Sequence, residues 1–177
     1  NAMPALWDVD EDGLLDIVVG GSTGRLYLLC NRGTRTAPHY EIVSQVWAGV
    51  DYSMYAGQEN TLSPAFYRKQ GRDYMLLGLR GGSVALYELY DGDMRLIDED
   101  VIGYSVGKNA TATRYVSMAG DSYMVVGCAA GGFLLFKEND REDIPYDNEK
   151  TITLYPNPTS DLLCVDIEDS HCNRWTI

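Results

Sequence analysis

The sequence predicts an all-β protein. Short apolar runs rich in branched and aromatic residues alternate with glycine-bearing turns, the pattern of strands joined tightly. Tyr dominates the aromatics, with 13 copies against 3 Phe and 3 Trp, and 18 Gly punctuate the chain. Sustained helical periodicity is lacking, and one unit recurs three times, which favours a fold built from repeats.

The unit is a hairpin. Leu15 to Asn31 reads LDIVVGGSTGRLYLLCN, Arg72 to Leu89 reads RDYMLLGLRGGSVALYEL, and Asp121 to Asn139 reads DSYMVVGCAAGGFLLFKEN. Each has an apolar strand ending in glycine, a short turn and a second apolar strand. Gly20, Gly78 and Gly127 match across the units, 58 and 49 residues apart, and Gly24, Gly82 and Gly131 close the turns. Glycine suits a turn because it takes a positive φ without a Cβ penalty. A further strand precedes each hairpin, in MPALWDV, LSPAFYRK and ATATRYVSM. Another follows the first two, in YEIVSQV and MRLIDEDV. About four strands per ~50 residues is the period of a propeller blade. A β-sandwich also spaces short strands regularly, but self-similarity favours the propeller.

The first unit carries an acidic loop. WDVDEDGLLDIVVG places Asp8, Asp10, Asp12 and Asp16 just before and at the start of a buried strand. Pro4 to Thr34 resembles an FG-GAP (VCBS-type) repeat of integrin-α-like propellers, whose D-x-D-x-D-G-x-x-D pattern is matched in register by Asp8, Asp10, Asp12, Gly13 and Asp16. The second and third units, RKQGRDYML and SMAGDSYMV, keep the strand without the carboxylates. From Ser63 to Asp140 the resemblance is architectural.

Alternating side chains in such a loop point to one centre, and the glycine permits the sharp turn. The expected ligands are the side chains of Asp8, Asp10, Asp12 and Asp16 and the backbone oxygen of Leu14. An all-oxygen set favours a hard cation, and six or seven ligands favour Ca²⁺ over Mg²⁺. The alternative is a solvated acidic turn.

Charge and motifs narrow the function. Fourteen Lys and Arg stand against 26 Asp and Glu, a net charge of −12. Phosphate neutralisation needs clustered basic residues, so a nucleic-acid partner is not expected. No apolar run reaches the ~20 residues of a transmembrane helix. The sequence shows no signal peptide, and its opening Asn1-Ala2-Met3 reads as the remnant of a cut tag. Cys30, Cys128, Cys164 and Cys172 lack C-x-x-C spacing. Four free thiols are expected, although Cys164 and Cys172 are close enough to pair under oxidising conditions. Gly20-Gly21-Ser22-Thr23-Gly24 joins two strands and has no Lys, so it reads as a hairpin turn and not a phosphate loop. Trp47, Tyr52 and Tyr55 occupy the longest insertion, where aromatics either cap a core or contact a partner.

The C-terminal part reads differently. Asn139 to Lys150 is polar and charged, like a linker. YPNPTSDLL resembles the start of the C-terminal sorting domain of type IX secretion cargo, through Tyr155, Pro156, Asn157, Pro158, Thr159 and Leu162. The alternative is a proline-rich turn before a last strand. The expected organisation is thus a partial β-propeller of about three four-stranded blades over 4–140, a linker over 141–150, and a truncated sorting segment over 151–177.

These readings imply a calcium-stabilised, non-enzymatic binding module, secreted or on the cell surface, with a protein or glycan partner. Self-association through open blade faces is also expected. The rival readings are a fragment of a polysaccharide-degrading propeller enzyme and a structural remnant of a truncated gene.

Overall fold

The computed structural model describes residues 2–53, 61–90, 93–116 and 120–138, together with the backbone of three short strands beyond them. The described residues contain strands, turns and one short 3₁₀ turn at Trp47–Gly49, and no α-helix. The fold is all-β, with three four-stranded antiparallel sheets arranged as blades along the chain.

The first sheet is β1 (Ala2–Trp7), β2 (Asp16–Gly21), β3 (Tyr27–Asn31) and β4 (Tyr40–Ser44), paired in that order. The second repeats the order with β5 (Leu62–Lys69), β6 (Arg72–Leu79), β7 (Val84–Tyr90) and β8 (Asp93–Asp98). Both sheets carry a register shift at the same place in the unit, between Leu28 and Leu29 and between Leu86 and Tyr87. The third sheet contains β9 (Thr111–Val116), β10 (Ser122–Gly127) and β11 (Phe133–Glu138). β12 (Ile152–Pro156) and β13 (Leu163–Ile167) form a separate antiparallel pair. The fourth strand of the third sheet is β14 (Trp175–Thr176), which pairs with β11 through Lys137↔Thr176 and Glu138↔Trp175. That strand comes from within the stretch expected to be a sorting segment. The expected linker, 141–150, lies outside the described residues.

Side-chain alternation builds two cores. Successive side chains of a strand point to opposite faces. Met75 and Leu77 therefore join Val18, Leu26, Leu28 and Leu62 between the first two sheets. Leu76 faces the other way and packs with Met124, Val126 and Phe136 of the third sheet. All three of Met75, Leu76 and Leu77 are fully buried, because the middle sheet is covered on both faces.

The matching glycines explain how the sheets approach. A Cβ on Gly20 would lie 2.3 Å from the carbonyl oxygen of Leu62, and one on Gly78 would lie 2.1 Å from that of Ala110. In each case the first strand of the next sheet crosses at a distance that only glycine allows. The hairpin between β5 and β6 turns through two residues, Gln70 and Gly71, which both have positive φ, 51° and 76°, as a two-residue turn matched to strand twist requires.

Candidate metal centre

The acidic loop hangs between β1 and β2. Strand pairing ends at Trp7↔Asp16, so residues 8 to 15 leave the ladder together. Val9 is buried in the first core and pins the loop to the sheet. Two residues adopt left-handed backbone, Glu11 at φ 57° and Gly13 at φ 84°. The reversal brings Gly13 N–H to Asp8 Oδ2 at 2.9 Å and Leu14 N–H to Asp12 Oδ1 at 2.8 Å.

The carboxylates converge on Asp10 from two sides. Ligand atoms of Asp8, Asp10 and Asp12 all lie within 4.8 Å of one another, and so do those of Asp10, Asp16 and Cys30. Asp8 Oδ1 is buried and accepts no hydrogen bond from the described residues. A buried carboxylate oxygen is costly when unpaired. The Asp8 carboxylate brings one oxygen within 4.8 Å of oxygens of Asp10 and Asp12, a grouping that a bound cation would satisfy. Leu14 is half-buried in the loop, with its amide held by Asp12.

Asp16 has a further duty. It is 1 % exposed, and its two oxygens accept Val9 N–H at 3.0 Å and Asn31 N–H at 2.8 Å. It therefore ties the acidic loop to the end of β3. Burial pushes its carboxyl above the usual range, the bonds from Asn31 and Val9 oppose that, and the charges of Asp10 and Asp12 add to it. A cation at Asp10 would reverse the effect of its neighbours' charge.

The end of β3 completes the surroundings, and sequence reasoning did not find it. β3 runs antiparallel to β2 through Ile17↔Leu29, which carries Cys30, Asn31 and Arg32 alongside the loop. Asn31 Oδ1 accepts Gly33 N–H and His39 N–H, both at 3.0 Å, and shapes the following turn. Arg32 stands 3.8 Å from Asp10, and Arg35 donates to the Gly13 carbonyl at 3.3 Å. Burial pushes the Cys30 thiol up, and the charges of Asp16 and Asp10 add to it. The only available signal was the hairpin pairing itself, which places the residues after Leu29 opposite the loop.

The aromatic insertion divides. Trp47 is buried in the first core, 6.2 Å from the Phe66 ring. Tyr52 packs against the same core, with its hydroxyl 2.9 Å from that of Tyr87. Both cap the core. Tyr55 lies outside the described residues. A cleft of about 340 Å³ lies between Tyr52, Leu62, Leu79, Arg80, Ser83 and Glu99, with none of the acidic-loop residues in its lining.

Strand order, stacked cores and an acidic loop define a blade-repeat protein with an oxygen-rich candidate cation site. No family model, curated protein or solved structure matches the chain.

Proposed function

We propose that this protein is a calcium-stabilised, non-enzymatic binding module of the FG-GAP (VCBS) type, acting outside the cell on a protein or glycan partner. The observation that carries the reading is the convergence of the Asp8, Asp10 and Asp12 carboxylates, of which Asp8 keeps one buried oxygen, Oδ1, without a hydrogen bond from the described residues. Asp8, Asp10 and Asp12 would hold the ion, with Asp16 and the Leu14 carbonyl from the adjoining turn. Bound Ca²⁺ supplies positive charge that offsets the repulsion of clustered carboxylates. At a surface-like dielectric that repulsion is about 4 kcal/mol for charges 4 Å apart.

The surrounding residues support a stabilising role. Asp16 clamps Val9 and Asn31, so order in the loop passes directly to β2 and β3. Weak sites of the extracellular class, with dissociation constants of roughly 10⁻⁴ to 10⁻³ M, suit the secreted or surface location the type IX resemblance implies. The partner would meet the loops, which rigid sheets present at their ends.

Thermal unfolding with excess calcium and with chelator tests the reading. Calcium at 100 times its dissociation constant should add about 2.7 kcal/mol. Asp12→Ala should abolish the calcium-dependent increment, and Glu11→Ala should retain it. An unchanged midpoint for the wild type in chelator would reduce the loop to an acidic turn.

A further inference from the structure

The three hairpins match position by position, so their faces can be compared directly. Toward the sheet that follows, the first presents the cross-strand pair Val18↔Leu28 and the second presents Leu76↔Leu86. All four side chains are buried. The counterpart in the third sheet is Val125↔Leu135, and there Leu135 is 40 % exposed. Leu26 and Val84 are fully buried, while their counterpart Phe133 stands 59 % exposed.

The opposite face shows the same contrast at the other end. Toward the sheet that precedes, Met75 and Leu77 of the second blade and Met124 and Val126 of the third are buried. Their counterparts in the first blade are Ile17 and Val19, paired with Leu6 and Pro4. Leu6 is 55 % exposed, and Ile42 at the far end of the same row is 63 % exposed. Across Pro4, Leu6, Ile17, Val19, Leu29 and Ile42 there is no charged side chain.

We propose that these two end faces pack against each other between two copies of the chain, head to tail, so that two three-blade arcs close a six-blade ring. The faces are complementary by construction, because both internal interfaces already join one face of this kind to the other. A heterologous contact of this sort forms a closed ring when its rotation closes. Six blades fall within the 4 to 8 of propellers. Exposed apolar sheet faces of this extent are otherwise unfavourable for a soluble chain.

Gly127 supports the pairing independently. At Gly20 and Gly78 an added Cβ would strike the backbone of the next sheet's first strand, at 2.3 and 2.1 Å. At Gly127 it would meet the Thr111 Oγ1 at 3.2 Å and, among the described residues, no backbone atom nearer than 3.9 Å. Among the described residues, no strand crosses the third hairpin at its glycine as β5 and the start of β9 cross the first two. In the ring, β1 of the second copy occupies that space.

Sedimentation velocity on the full chain at micromolar concentration tests the proposal. The wild type should run as a dimer, twice the 19.7 kDa of one chain. Leu6→Asp and Phe133→Asp should each give monomers. Mixed in equal amounts they should regain a dimer, because one sound interface remains between an intact leading face and an intact trailing face. Gly127→Val should also run as a monomer, with the circular dichroism of the wild type. A monomeric wild type, open oligomers longer than a dimer, or a Phe133→Asp variant that stays dimeric would each overturn the ring.

Discussion

The indole Nε1 of Trp7 donates a 3.0 Å hydrogen bond to Asp73 Oδ2, joining the last residue of β1 to the second blade. Asp73 is 8 % exposed and also accepts a 2.7 Å bond from Arg68, whose guanidinium lies 6.0 Å from the centre of the Trp7 ring. The acidic loop begins at the very next residue, so this bond sets where it starts. Trp7→Phe should keep the stacking on Phe66, 5.7 Å away, and lose about 1 kcal/mol with the hydrogen bond. Asp73→Ala should cost more, about 2–3 kcal/mol, because it strands the partly buried indole N–H. Urea denaturation of both variants measures the difference.

Acid should weaken the same junction. The bond from Arg68 holds the Asp73 carboxyl below the usual range; burial opposes this, and the Trp7 bond assists it. A carboxyl lowered by folding contributes stability that is fully present above its unfolded value of about 3.9. That contribution disappears as the pH falls from there through the lower folded value. Urea midpoints taken between about pH 5 and pH 2 should fall less steeply for Asp73→Asn than for the wild type. Parallel curves would show that Asp73 carries none of the acid dependence.

Close approach between blades gives a sharper contrast. Gly78→Ala puts a methyl 2.1 Å from the Ala110 carbonyl, against backbone that cannot rotate aside. Overpacking of this kind should cost about 3 kcal/mol and lower the melting temperature by roughly 5–10 °C. Gly81→Ala, three residues on, meets no atom within 4 Å and should leave the midpoint nearly unchanged. Equal melting of the two variants would mean the sheets slide apart at no cost.

The loop backbone can be tested apart from any cation. Gly13 has φ 84° and open space around its Cα, so Gly13→Ala should cost about 1 kcal/mol through conformation alone. Glu11 already tolerates φ 57°, and Glu11→Gly should change stability by no more than about 0.5 kcal/mol. Both are read by thermal unfolding in chelator. A neutral Gly13→Ala would show that the loop does not need its left-handed turn.

The sequence by itself determined the strands, their grouping into three units and the acidic loop. Period-two alternation and glycine turns are local signals, legible wherever a hairpin such as Ile17 to Leu29 is continuous in the chain. Asp8, Asp10 and Asp12 could be grouped from spacing alone, because one turn of backbone brings them together. Only the tertiary structure decided which face of β6 each neighbour covers, with Met75 in one core and Leu76 in the other. It also decided that Trp47 and Tyr52 cap a core, a choice made by Phe66 and Tyr87 in the next blade. The fourth strand of the third sheet, Trp175–Thr176, was out of reach for a different reason. Edge pairing is made by backbone hydrogen bonds, which carry no side-chain code and so leave no mark on the sequence of either strand.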